Sequence, residues 1–402
     1  MKYSQRIIFY LIPMIILLPL TLLAQNYDES KVGAYSLPPL LIDENGKEIH
    51  TIDEWEQIRR PQILHLFEDH IYGQVPHSFD SICFKKTKED KKALEGKATF
   101  KEIDITVSKR GQSVTIHTLM FVPNVKTQPV PAFLVINHRG VETMDITRKN
   151  KDDFWPAEEV VEAGYALIGF DVISVAPDDT ATYSNEVLKK LYPEQLEMPN
   201  GMKALGAWGW GASRIMDYLS TDPDIDATQV IVVGHSRGGK AALWCGAQDK
   251  RFAIAISNES GNSGAKISRR NYGETVDIIT NALPHWFVSK YRTYANHEDK
   301  LPVDQHMLIA LMAPRGVYVA SAADDKWADP KGQYIGLYES QSVFRLYGVK
   351  TDLPVDMPPT EQQVISLPLG FHNRQGEHDM ILKDWQNFIR FANQYFKRNN
   401  KK

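Results

Sequence analysis

The chain has 402 residues, with 46 Lys and Arg against 50 Asp and Glu and a formal net charge of −4. A mildly acidic chain without a basic block excludes nucleic acid or an anionic membrane surface as its partner. Its two cysteines, Cys83 and Cys245, lie too far apart for a disulfide framework or a metal-ligand cluster, and no bridge between them is expected. Cys245, set among Ala241, Ala242, Leu243 and Trp244, reads as a buried apolar filler.

Residues 1–24 have the three-part pattern of an export signal. Lys2 and Arg6 precede an uncharged apolar run from Ile7 to Leu23, and Ala24 supplies a small residue at the end. That run has 17 residues and contains Pro13 and Pro19, at the lower limit for a membrane span. Cleavage near Ala24, giving a secreted or periplasmic protein with no membrane segment, is therefore expected over a retained anchor. The residues from Asn26 to about Ile52 are irregular and rich in Pro, Gly and polar side chains, as in an arm over the surface. Glu54 to Tyr72 predicts a helix with Trp55, Ile58, Ile63, Leu64 and Phe67 at recurring apolar positions, stopped by Gly73. Arm and helix (25–92) are expected to pack as one unit with the rest of the chain (93–402).

Two alternating stretches, 98–107 and 113–122, flank Lys109-Arg110-Gly111-Gln112 and predict a hairpin. After Pro129, apolar strands are predicted at Ala132–Ile136, Ala166–Phe170, Val230–Val233, Ala253–Ile256, Val317–Ala320 and Val364–Pro368. Helices fall between them, at Trp155–Ala163, Ala204–Leu219, Gly239–Ala247, Gln305–Met312 and Gln333–Tyr347, with a last one from Asp384 to Phe396. Unbroken apolar strands separated by helices make a parallel sheet covered on both faces. An antiparallel hairpin feeding such a sheet is the order of the α/β-hydrolase fold, a three-layer sandwich whose sites gather at the carboxyl ends of the strands.

Gly234-His235-Ser236-Arg237-Gly238 follows one predicted strand and opens a helix. In that context Ser236 is a candidate nucleophile on a tight turn, where the two glycines remove side chains that would clash. A serine hydroxyl needs a base, and the base needs an orienting acid. The base is expected on the loop before the last helix, where His378 is favoured over His372. Two carboxylates end neighbouring strands and qualify as the acid, Asp325 and Glu259, and the residues alone do not choose between them.

These stretches resemble the glucuronoyl esterases, carbohydrate esterases that cleave esters between xylan glucuronic acid and lignin alcohols. The resemblance covers Trp55–Leu64, Gly206–Arg214, Gly234–Lys240, Arg269–Glu274, Asp304–His306, Ala313–Arg315, Asp325–Pro330 and Gly376–Asp379. It implies that Arg237 joins backbone N–H groups at the oxyanion, and that Lys240 and Glu274 hydrogen-bond sugar hydroxyls while Trp327 borders the ring. It also implies a shared acid function, since in bacterial members the position of Glu259 can serve as triad acid with that of Asp325 also present; Glu259 is expected to carry more of it than Asp325. The substrate implied is glucuronoxylan or its lignin esters in the plant cell wall, with no metal and no organic cofactor.

Three departures stand out. Fungal members carry a disulfide-bonded Cys where this chain has His235, so the bacterial branch is the better comparison. A sugar-binding glutamine of fungal members has no clear counterpart near Lys266. The loop from His138 to Thr147 lacks the family's usual wording. The alternatives to a glucuronoyl esterase are an acetylxylan esterase or peptidase on the same scaffold, and a non-catalytic sugar-binding protein, against which the intact Ser236, Arg237 and His378 speak.

Overall fold

A computed structural model describes residues 25–399; the expected export signal lies outside them. Ten strands form one sheet in the order β1-β2-β3-β5-β4-β6-β7-β8-β10-β9. They are β1 (Ser81–Ala93), β2 (Ala98–Lys109), β3 (Gln112–Pro123), β4 (Val130–Asn137), β5 (Ala166–Asp171), β6 (Ile225–His235), β7 (Ile254–Asn258), β8 (Gly316–Ala322), β9 (Gln363–Ser366) and β10 (Leu369–Arg374). The strands β5, β4, β6, β7, β8 and β10 run parallel, while β1, β2 and β3 enter antiparallel and β9 closes the far edge antiparallel to β10.

Period-two alternation divides the core between the two faces of the sheet. Ala132, Leu134 and Ile136 of β4 and Val230 and Val232 of β6 join one apolar cluster, with the helices Ala204–Leu219 and Arg237–Gln248. Phe133 and Val135, with Ile231 and Val233, join the other, under Trp155, Trp385, Phe388 and Phe391. The last three belong to the closing helix Leu382–Asn399. The helical run Ile52–Tyr72 packs on the first face, with Trp55, Ile63 and Phe67 fully buried. The arm before it is tied down by Arg59, which donates to the Leu40 carbonyl at 3.1 Å, and by His306, 3.0 Å from that of Pro38. Cys245 is buried, Cys83 exposed, and both are free. Among the described residues no helix is long and apolar enough to cross a membrane.

Two elements depart from the expected pattern. Strand β1 was not expected because its middle, Lys85 to Lys92, is mostly charged and exposed. An edge strand is where charge is tolerated and protective, since it discourages pairing with another chain. The last parallel strand is β10, not 364–368, whose first three residues belong instead to the antiparallel β9. Polar His372, Asn373 and Arg374 hide β10 from an apolar search although every residue of it is buried. The predicted helix 333–347 is two, Pro330–Glu339 and Gln341–Leu346.

Candidate active site

Ser236 stands between β6 and the helix Arg237–Gln248 with φ 54° and ψ −125°. That backbone region is costly for any residue with a Cβ, of order 1–3 kcal/mol. The surrounding turn holds it there: the Ser236 N–H donates to the Asn258 carbonyl at 2.8 Å. The flanking glycines are required by space. A Cβ on Gly234 would meet the Gly238 carbonyl oxygen at 2.1 Å, and one on Gly238 would lie 2.9 Å from that of Ile136. The hydroxyl is thus presented, half-buried, at a helix N-terminus whose first N–H groups have no intrahelical partners and favour negative charge.

His378 follows β10 on the loop before the closing helix, and its ring centre lies 4.5 Å from that of His235. Its Nδ1 is 2.6 Å from Asp325 Oδ2 and 3.3 Å from Glu259 Oε2. Asp325 comes from the turn after β8, and its Oδ1 accepts the Ala328 N–H at 3.1 Å. Glu259 directly follows β7 with φ 47° and is fully buried. Its Oε1 accepts Arg374 Nη2 at 2.8 Å, and its Oε2 accepts the Asp379 N–H at 2.9 Å. The expected weighting of the two acids is therefore reversed in the geometry: Asp325 makes the short bond, and Glu259 stands behind it, held by other partners. Burial pulls the His378 imidazole down, but hydrogen bonds and charge from Asp325 and Glu259 outweigh it and raise the pKa to about 9. Burial pushes Glu259 up to about 7 against the pull of His378 and Arg374. The donor atoms of Glu259, Asp325 and His378 lie within 4.8 Å of one another. The 2.6 Å contact between Asp325 and His378 is a charge-assisted hydrogen bond, closer than two ligands about 2 Å from one ion would sit.

Arg374 escaped the sequence reading. It ends β10 fully buried, donating through Nε to Asp384 Oδ1 and Oδ2 at 3.1 and 3.0 Å. Through Nη2 it also bonds the carbonyls of Glu377 and Asp379 at 3.0 and 2.8 Å, gripping both neighbours of His378. The signal was available: residues i and i+2 of a strand share a face, so His372 and Arg374 point together at Asp384. His372 Nε2 is 2.7 Å from Asp384 Oδ1, and its Nδ1 is 2.8 Å from the Tyr318 hydroxyl. Both ring nitrogens of His372 are engaged inside the core.

His235, where the fungal pattern has a cysteine, is fully buried with Nδ1 2.5 Å from Asn258 Oδ1. Burial holds it, and His138 stacked 6.1 Å away, well below the ordinary histidine range.

Arg237 opens the helix that follows Ser236. Its Nη1 donates to Asp178 Oδ2, its guanidinium lies 4.8 Å from the centre of the Trp286 ring, and its Nε is buried without a partner among the described residues. Lys240, one turn on, is buried, and its Nζ donates to the carbonyls of Ser260 and Asn262 at 2.6 Å each and to Glu274 Oε2 at 2.9 Å. All three ammonium protons are engaged within the protein. The same Glu274 Oε2 accepts the Asn262 N–H at 2.9 Å, while Oε1 takes part in neither bond. Trp327 is 41% exposed, so it is not a core tryptophan. Its carbonyl accepts the Glu274 N–H at 2.8 Å, joining the two residues in one wall. Gly273 makes that approach possible, since a Cβ there would meet the Trp327 oxygen at 2.3 Å.

Residues 105–348 match the family model described as glucuronyl esterase, fungi. Over 399 residues the chain is 35% identical to carbohydrate esterase MZ0003 from an unknown prokaryotic organism, covering 92% of each. It is 27% identical over 339 residues to a 4-O-methyl-glucuronoyl methylesterase of Schizophyllum commune, covering 81% of this chain and 78% of that one. It is also similar to the solved structure of a glucuronoyl esterase from Solibacter usitatus, with TM-score 0.84 and 36% identity, covering 91% of this chain and 99% of that one. The elbow at Ser236, its α/β-hydrolase setting and these likenesses agree, and the chain belongs to the glucuronoyl esterase family of carboxylic ester hydrolases.

Proposed function

We propose that this protein hydrolyses esters of glucuronic or 4-O-methyl-glucuronic acid, such as those joining glucuronoxylan to lignin alcohols, through an acyl-enzyme on Ser236. The observation that carries the reading is the juxtaposition of the Ser236 elbow and the Asp325–His378 pair with the wall of Lys240, Glu274 and Trp327. With Nδ1–H donated to Asp325, His378 has Nε2 left as a base. Ser236 Oγ attacks the acyl carbon while its proton passes to Nε2. The carbonyl oxygen becomes an oxyanion facing the amides at the helix N-terminus and Arg237. The carbon–oxygen bond to the alcohol then breaks, and Nε2–H protonates the departing oxygen. A water repeats the sequence on the acyl-enzyme, frees the uronate and returns the proton to Ser236.

The acid half of the substrate is read at the wall. Glu274 Oε1 is the acceptor for a sugar hydroxyl, and the half-exposed Trp327 ring offers a flat apolar surface to ring C–H groups. Lys240 acts first on Glu274, fixing its carboxylate, and reaches a hydroxyl only by sharing one of its three bonds. The export pattern read in residues 1–24 supports a site of action outside the cytoplasm, where cell-wall polysaccharide is met. The test is rapid quenching with a methyl glucuronate ester followed by mass spectrometry. A hexuronoyl adduct on the peptide carrying Ser236, absent in Ser236→Ala, is expected; turnover with no such adduct would remove the acyl-enzyme.

A further inference from the structure

Asp178 lies in the loop after β5 and takes no part in the triad, yet three side chains converge on it. The Trp286 indole N–H donates to Oδ1 at 2.6 Å, His285 Nε2 lies 3.0 Å from the same oxygen, and Arg237 Nη1 donates to Oδ2. His285 is itself oriented: its Nδ1 is 3.1 Å from the Thr180 hydroxyl, and a hydroxyl donating there leaves the ring hydrogen on Nε2, facing Asp178. His285 and Trp286 are buried, so the carboxylate is set by fixed donors before Arg237 reaches it. Those donors and the Arg237 charge outweigh the effect of burial and hold Asp178 well below the usual carboxylate range.

This arrangement restrains Arg237 in two directions. The bond from Nη1 anchors one end of the guanidinium, and the Trp286 ring, 4.8 Å from its central carbon, supports its face. The same indole donates to Asp178, so ring and carboxylate are fixed relative to each other. A surface arginine bound to a lone aspartate would swing with it. Here Nε, beside the turn that carries Ser236, is buried and has no hydrogen-bond partner among the described residues.

We propose that Asp178 is a positioning residue of the reaction, which with His285 and Trp286 cradles Arg237 so that its remaining N–H groups meet the oxyanion formed on Ser236. The inference rests on the reading of Arg237 as an oxyanion donor. No proton leaves Asp178, and no bond to it changes in the cycle. Its contribution is the alignment of one donor, which matters because donors already in place need no reorganisation when charge develops.

The experiment is a double-mutant cycle on a methyl or benzyl glucuronate ester, measuring kcat, KM and melting temperature for Arg237→Ala, Asp178→Asn and the pair. Arg237→Ala should lose ~10²-fold or more in kcat, as removal of an oxyanion donor does. Asp178→Asn should lose about tenfold in kcat, a part of that effect, with KM within a few-fold. In the Arg237→Ala background Asp178→Asn should cost almost nothing more, because its only route to the reaction is gone. Trp286→Phe, which keeps the ring and removes the indole donor, should lower kcat in the same sense and covers the case in which Asp178→Asn does not fold. Losses that multiply in the double variant, or an Asp178→Asn enzyme with unchanged kcat, would overturn the positioning role while leaving Arg237 as a donor. An Arg237→Ala enzyme with normal kcat would overturn both.

Discussion

Asp325 and His378 share the short bond of the site, 2.6 Å from Oδ2 to Nδ1, while Glu259 stands 3.3 Å from the same nitrogen. Two carboxylates thus face one ring N–H, and only one is free to follow it. Glu259 Oε1 is bound by Arg374 and its Oε2 by the Asp379 amide, whereas Asp325 Oδ2 has His378 as its hydrogen-bond partner. Loss of the orienting acid from a serine triad costs ~10⁴ in kcat. Asp325→Ala should fall short of that, because Glu259 can still hold the tautomer, and Glu259→Ala should lose less than Asp325→Ala. The double variant should lose more than either. Steady-state kcat for the three checks the order, and a normal Asp325→Ala enzyme would reverse it.

The pH profile follows from the same pair. In the proposed mechanism hydrolysis needs neutral His378, and Asp325 and Glu259 stabilise its protonated form, raising its pKa to about 9. The acid limb of kcat/KM should therefore lie above the ordinary histidine value of about 6.5. Asp325→Asn removes one negative charge from the imidazolium, so the limb of its residual activity should move to lower pH. A limb that stays in place would mean that a different group titrates.

Arg374 should matter to stability as much as to rate. It neutralises Glu259 and Asp384 together in a site closed to water. Arg374→Met takes the guanidinium from Asp384 and leaves Glu259 only His378 as a cationic neighbour, and breaking a buried pair this way costs about 3–5 kcal/mol. Urea unfolding near neutral pH should show a loss of that size, smaller in acid where Glu259, pushed up to about 7 by burial, is protonated. An unchanged midpoint would contradict the clamp.

Ser236 carries backbone strain that its side chain does not relieve. Ser236→Ala should be inactive, with a melting temperature close to that of the parent, since the Cβ and its φ of 54° remain. Ser236→Gly should be equally inactive but more stable, by about 1 kcal/mol, because glycine populates that region without penalty. Thermal melts of the two variants side by side decide it. A glycine variant less stable than alanine would mean that the turn is unstrained.

Residues whose role leaves a local pattern were legible in the sequence. The strand, Gly-x-Ser-x-Gly and helix around Ser236 form a contiguous signal, and the hairpin and five of the six parallel strands follow from alternation and apolar runs. Asp325, Glu259 and His378 could be placed at strand ends, but not their distances from one another, which depend on three separate loops closing together. Strand β10 was hidden because its buried positions hold His372, Asn373 and Arg374, whose partners lie elsewhere in the chain. The Asp178 cradle was hidden for the same reason, with His285 and Trp286 more than 100 positions away. Lys240 looked like a ligand for sugar. That its ammonium is fully engaged by Ser260, Asn262 and Glu274 could come only from the fold.

In the proposed reading the acid half of the ester is a uronic acid recognised by Glu274 and Trp327, which kcat/KM on a benzyl glucuronate ester and on an activated acetyl ester under identical conditions puts to the test. A site whose polar groups await a sugar penalises an acyl group that leaves them unpaired by ~1–3 kcal/mol per group. The glucuronate ester should therefore be favoured by roughly 10-fold or more, and Glu274→Ala should erase most of that preference while leaving the weaker acetyl hydrolysis nearly unchanged. A preference for the acetyl ester, or for acetylated xylan, would contradict the glucuronoyl reading.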